Sequence, residues 1–200
     1  MQNQTTTKKI LRIALLAFIT FSLACMALVY FSPYKAYAGS YQKMVRNSVV
    51  INCPAQNVFD FISNHSYTQA WLTYIDHITT LSKCTNKKGE RNRYYFNSDE
   101  LGQKFDGILL DVNKNRKRTL LFTNFSDFPF EPGNIIHEQF YKPLKGNKCE
   151  LCFTVCYERE EITMLDEFKA CIAAYRVEQA LRENMENIKA VMEEGKLRKI

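Results

Sequence analysis

Glycine is scarce in this chain of 200 residues: there are seven, scattered, and none belongs to a run that could cradle a phosphate. A nucleotide site built on a Gly-rich loop is therefore excluded. The three histidines, His65, His77 and His137, fall in no G-x-S-x-G or Cys–His arrangement, so no nucleophilic catalyst is declared. Internal repeats and low-complexity segments are missing. The formal charge is +6, but Lys8, Lys9, Arg12 and Lys35 all precede residue 39. Without them 23 basic residues face 21 acidic ones, about +2 for residues 39–200. No nucleic-acid partner is expected from so even a balance. With 46% hydrophobic and 24% charged residues, the composition is that of a globular chain and not of a disordered one.

Seven cysteines raise the question of a metal. Cys149-x-x-Cys152 is a single CxxC followed by Cys156, with no second pair to complete a zinc site. The surrounding residues alternate as a strand does, which sends Cys149 and Cys152 to opposite faces. Neither a metal nor a cofactor is expected. Cys152 and Cys156 share a face but stand too far apart on a strand to bond. Outside the cytoplasm the cysteines beyond Cys25 could form disulfides, and buried free thiols are the alternative; the pairing stays open.

The N-terminus divides into a basic tail over residues 1–12 and an uncharged apolar run over 13–31, long enough to span a bilayer as a helix. Two fates compete, a retained signal anchor or a signal peptide cut after Ala36-Tyr37-Ala38; the length of the run favours the anchor. The short tail and Lys8, Lys9 and Arg12 favour a domain on the non-cytoplasmic side, periplasmic or extracellular, and secreted there if cleaved after Ala38. Residues 32–47, with Pro33, Gly39 and Ser40, read as a tether, leaving 48–200 as the folded domain.

In that domain Ser48–Asn52 reads as a strand. Pro54 opens a short helix with Val58, Phe59 and Ile62 on its apolar face, ended by Asn64, and a second short helix runs through Tyr67 to Leu72. Six strands follow, near Ile78–Lys83, Arg91–Asn97, Gln103–Val112, Arg118–Phe125, Ile135–Lys142 and Cys149–Glu158, separated by short turns that imply an antiparallel sheet. On the last strand Leu151, Phe153, Val155 and Tyr157 face one way and Glu150, Cys152, Thr154, Cys156 and Glu158 the other, predicting one apolar and one wet face. Thr163–Glu194 then lacks Gly and Pro and carries Leu165, Phe168, Ile172, Tyr175, Leu181, Met185, Ile188 and Met192 at steps of three and four, with one longer step. This predicts a helix roughly 48 Å long with a single apolar stripe, capped by Thr163 and Asp166 and stopped at Gly195.

The run Val49-Val50-Ile51-Asn52-Cys53-Pro54-Ala55-Gln56-Asn57-Val58-Phe59-Asp60-Phe61-Ile62-Ser63, followed by Trp71, resembles the opening of the START-like superfamily, also called SRPBCC. That superfamily includes the polyketide cyclase/dehydrase and lipid-transport proteins. The resemblance covers roughly residues 48–194. It implies an α+β helix-grip fold, a bent antiparallel sheet wrapped around the long C-terminal helix, with an apolar small molecule or lipid held between them. The residues expected to line that space are Trp71, Phe153, Val155, Tyr157, Phe168, Ile172 and Tyr175. Phe128 and Phe130, in a loop with two prolines, are expected to gate it or to touch lipid. The leading expectation is a membrane-tethered binding or carrier protein. The rivals are a cyclase/dehydrase-type enzyme using His137, Tyr157 or Tyr175 to polarise a ketone, and a non-catalytic scaffold or stress-response module with a filled core.

Overall fold

The uncharged run lies within helix α1 (Gln2–Phe31), which extends through the basic tail as well. Lys8–Phe31 is long and apolar enough to cross a bilayer, and its large side chains are exposed to the surroundings. A computed structural model describes residues 2–31, 39–97, 102–126, 133–159 and 164–195. Beyond α1 come β1 (Gly39–Ile51), α2 (Ala55–Ser63), a 3₁₀ turn (His65–Tyr67), α3 (Thr68–Trp71), β2 (Ile75–Thr80), β3 (Arg91–Phe96), β4 (Lys104–Asn113), β5 (Lys117–Ser126), β6 (Ile135–Leu144), β7 (Lys148–Arg159) and α4 (Met164–Glu194). The seven strands form one antiparallel sheet in the order β1-β7-β6-β5-β4-β3-β2. Together with α4 they make the helix-grip architecture.

The largest differences from the expected element boundaries are at the starts of β1 and β2. Residues 39–47, predicted as part of a tether, are strand instead, because β1 begins at Gly39 and pairs along its length with β7. Its register slips between Gly39 and Gln42 and again between Lys43 and Val45. Each irregularity breaks the two-residue alternation that would have revealed the strand. β2 starts at Ile75, three residues ahead of the expected Ile78. Thr163, the predicted cap of α4, lies outside the described residues. Gly195 ends α4 as expected, at φ 64°, with its N–H donating to the Val191 carbonyl at 3.1 Å.

On β7 the two directions are as predicted, but the outer face is not uniformly wet. Cys152 and Thr154 are buried along with Leu151, Phe153 and Val155. β7 lies between β1 and β6, and the Arg46 side chain of β1 covers Cys152, its Nε 3.1 Å from the Sγ. A central strand is shielded by its neighbours even on the face away from the core.

The apolar stripe of α4 also breaks. Leu181, Met185 and Ile188 are buried and Met192 packs partly against them, whereas Ile172 is 46% and Tyr175 57% exposed. The longer step from Tyr175 to Leu181 is the cause. Six residues at about 100° each leave Tyr175 about 120° away from Leu181 around the helix, while Ala174, seven back, is aligned with it to within about 20°. Ala174 is fully buried and Val177 packs on the core. The true buried face therefore runs Ala174, Val177, Leu181, Met185, Ile188.

Helix α4 is fastened at several points. Asn47 Nδ2 donates to the Glu178 carbonyl at 3.0 Å and the Asn52 N–H to Glu193 Oε1 at 2.7 Å. These two bonds show α4 running in the same direction as β1. On its other side Asn184 Oδ1 accepts the Thr73 N–H at 2.9 Å, and Asn187 Nδ2 donates to the Trp71 carbonyl at 3.3 Å.

The phase of α4 makes a direct prediction. Ile188→Ala should cost about 2–5 kcal/mol, the range for emptying a packed site. Ile172→Ala should cost under about 1 kcal/mol, since its side chain is half in solvent already. Urea unfolding of the two variants distinguishes this phase from a stripe that runs through Ile172.

Candidate functional site

The register decides which side chains meet inside the grip. Arg118 of β5 stands opposite Gln139 of β6, and Leu120 opposite His137. On β7, His137 meets Val155, Gln139 meets Phe153 and Tyr141 meets Leu151. Every second residue shares a face, so these groups form one continuous inner surface.

Two apolar clusters flank that surface. The first lies under the helices and contains Phe59, Trp71, Phe153, Val155 and Ile188. The second is aromatic and belongs to the far strands. Tyr94 and Phe105 stack at 4.9 Å with their planes 2° apart, and Phe122 meets Phe105 edge-on at 4.9 Å. Gly107 makes room for it, because a Cβ there would come within 2.6 Å of the Tyr94 ring. The His137 ring touches both clusters, 5.7 Å from Phe122 and 4.9 Å from Phe153.

The seam between the clusters is polar. Arg118 is 4% exposed, His137 8% and Gln139 3%. Gln139 Oε1 accepts from the Tyr141 hydroxyl at 2.9 Å and only loosely from Arg118 Nη1 at 3.4 Å. Arg118 Nε, His137 Nε2 and Trp71 Nε1 are buried with no hydrogen-bond partner among the described residues. Trp71 and His137 both lie against Phe153, the Trp71 ring at 6.4 Å. Buried nitrogens without partners are costly in a packed core. Two of them lie against one aromatic ring, and the third, Arg118, stands one strand away opposite Gln139.

A second polar knot sits on the same face near the turn before β3. Glu90 is 1% exposed and takes His65 Nε2 at 2.6 Å, Asn92 Nδ2 at 2.7 Å and the Asn86 N–H. Burial pushes its pKa up, but these bonds outweigh burial and hold it below the usual carboxylate value. Glu90 is thus fully engaged.

The titratable groups of the seam are driven away from neutrality. Burial, helped by the positive charge of Arg118, pushes His137 down to about 3. Burial pushes Tyr94 up to about 12 against the pull of Arg118, and raises Tyr141 as well. Proton transfer works best with a pKa near the operating pH. This set is equipped for hydrogen bonding by neutral groups and for electrostatic attraction by Arg118.

Of the residues expected at the site, Trp71, Phe153 and Val155 come together in the helix-covered cluster. Tyr157 is buried apart from them, with Met44 and Ile135. Phe168 is half-buried. Ile172 and Tyr175 do not join the others, for the reason of helical phase given above, and the Tyr175 hydroxyl instead accepts from Gln179 Nε2 at 2.8 Å. Phe128 and Phe130 lie outside the described residues. His137 and Glu138 do point to opposite sides, Glu138 pairing with Lys117 at 2.6 Å. Among the described residues no three His, Cys, Asp or Glu side chains converge as metal ligands would.

Arg118, Gln139 and Glu90 were missed by the sequence reading. For Arg118 the signal was present: it precedes Leu120 and Phe122 at a spacing of two, which places a guanidinium on an apolar strand face.

No protein-family profile and no curated protein matches the chain. Solved structures do. The Zhui aromatase/cyclase from Streptomyces sp. R1128 superposes with a TM-score of 0.58 at 14% identity, over 77% of this chain and 94% of that one. Ara h 8.0201 gives a TM-score of 0.61 at 10% identity, over 76% and 98%. Protein CV1439 from Chromobacterium violaceum gives 0.55 at 16% identity, over 74% and 96%. At such identities the likeness establishes the fold, and the fold is the START-like helix grip.

The burial of His137 predicts an acid-sensitive domain. Folded, the ring stays neutral down to about pH 3, while in the unfolded chain it takes a proton near 6.5. Between those values the unfolded state holds the extra proton, so stability falls as the pH drops through that window and is unaffected by this group above it. In His137→Phe the fall from pH 6.5 to pH 4.5 should flatten. Thermal unfolding of both proteins across this range measures it, since the stability contributed by Glu90 is lost only as the pH falls through and below its ordinary 4.5, and equally in both.

Proposed function

We propose that this protein is a membrane-tethered binding or carrier protein that takes a lipid or another apolar small molecule between the inner face of its sheet and α4. The observation that carries the reading is the seam beside Phe153, where buried aromatic surface meets the unpartnered Trp71 Nε1 and His137 Nε2, with the unpartnered Arg118 Nε one strand away. Apolar walls with a few fixed polar groups are the usual make-up of a small-molecule site.

The placement of α1 supports a membrane source for the ligand. Helix α1 ends at Phe31 and β1 begins at Gly39, so seven residues separate them, a reach of at most about 25 Å. Gly39 pairs with Arg159 at the end of β7, and α4 starts five residues later. The sheet edge where β3 and β5 end and β4 and β6 begin is the same edge, by the antiparallel register. The first half of α4 would therefore face the bilayer, with Ile172 and Tyr175 exposed beside the exposed cations Lys169 and Arg176. Apolar and basic side chains together suit a headgroup layer.

A cyclase-type enzyme is the second reading, and the aromatase/cyclase among the structural neighbours favours it. Its expected groups fit poorly. His137 is locked neutral, and Tyr175 is exposed on α4.

Native mass spectrometry tests the binding reading. The protein, extracted from membranes and incubated with vesicles of mixed cellular lipids, should carry an adduct of lipid mass that is lost on denaturation. A clean protein mass under both conditions would overturn the carrier reading.

A further inference from the structure

Arg118 poses a problem of charge. Its guanidinium is permanently ionised and 4% exposed, and no carboxylate forms an ion pair with it among the described residues. Its polar contacts are neutral: a long bond of 3.4 Å to a Gln139 oxygen that Tyr141 already holds at 2.9 Å, and the Tyr141 hydroxyl beside it. The buried carboxylate on the same sheet face, Glu90, is saturated by His65, Asn92 and Asn86. The other buried acid, Asp106, sits on the opposite face, where Arg93 takes it at 2.7 Å and 3.2 Å and Asn124 at 3.1 Å. Desolvating a cation without a counter-charge is among the most expensive arrangements a core can hold. A hydrogen-bonding head on the ligand would relieve it, and an anionic head would relieve it most. A guanidinium presents a planar fork matched to two oxygens of one carboxylate or phosphate.

The surroundings say how such a ligand would lie. Arg118 heads an inner line that continues through Leu120 to Phe122 on β5, with His137 and Phe153 alongside. Polar at one end and apolar along its length, the line has the polarity of an acyl chain with an acidic head.

We propose that the ligand is an amphipathic molecule with a carboxylate or phosphate head, that Arg118 receives this head, and that the apolar tail lies along Phe122 and Phe153. The proposal rests on the binding reading above and narrows it to a chemical class. Trp71 Nε1 and His137 Nε2 supply the polar contacts nearest the tail, which would tolerate a carbonyl or hydroxyl there.

The test uses the full chain in a maltoside detergent and three probes that share a twelve-carbon tail: dodecanoate, dodecyl phosphate and dodecanol. Retained adducts are compared by native mass spectrometry. At least one of the two anions should bind about tenfold or more tightly than the alcohol, the scale expected for a charge-assisted bond inside a protein. Preference between the two anions identifies the source of the head, a fatty acid or a phospholipid. Arg118→Gln should erase the advantage of the anions over the alcohol, and Arg118→Lys should keep part of it. Equal binding of all three probes would overturn the proposal and leave the carrier reading standing, with Arg118 satisfied by solvent. Failure of every probe to bind would overturn both. If Arg118→Gln does not fold, the ranking of probes on the unaltered chain decides alone.

Discussion

The pleat of the antiparallel sheet, with its period of two residues, is the constraint from which the rest follows. It puts Leu151, Phe153 and Val155 on the face that meets α4. By the same rule it carries Arg118, His137 and Gln139 onto that face, because each stands opposite or beside an inward neighbour. A shift of one residue would move every one of these groups to the outside. The polar seam and the apolar core are products of a single register. The seam cannot be relieved by local adjustment without disturbing the ladder that holds the core.

Much of this arrangement was legible in the amino-acid order. The alternation of β7 is strong enough to orient the strand, and Pro54 with Val58 and Phe59 marks the first helix of the domain. What the sequence concealed has identifiable causes. The irregular pairing of β1 with β7 scrambled the alternation of residues 39–47, so a strand read as a tether. The stripe on α4 was drawn through the large residues Ile172 and Tyr175, although the core uses the small Ala174. Size is a poor guide to burial where a helix approaches a sheet closely, and phase counted from Leu181 is a better one. The candidate site was half legible: Phe153 and Trp71 could be named from apolar patterning. Arg118 was passed over because attention to hydrophobic alternation discards charged residues at inward positions, and those are the ones that give a binding face its chemistry.

The two halves of α4 now have different characters. From Ala174 onward it is a structural strut, clamped by Asn184 and Asn187 to the α3 region and by Glu178 and Glu193 to β1. In its first half Ile172 and Tyr175 are exposed beside the exposed cations Lys169 and Arg176. Burial and the neighbouring charge of Arg118 hold the His137 ring neutral in the folded domain.

The most direct measurement of this account is the electron density of the domain, crystallised as purified from cells without denaturation or delipidation. The account predicts elongated density between the two apolar clusters, running along Phe153 and ending within hydrogen-bond distance of the Arg118 guanidinium. An inner face closed by protein side chains, with Arg118 neutralised by an acidic residue of this chain, would contradict it.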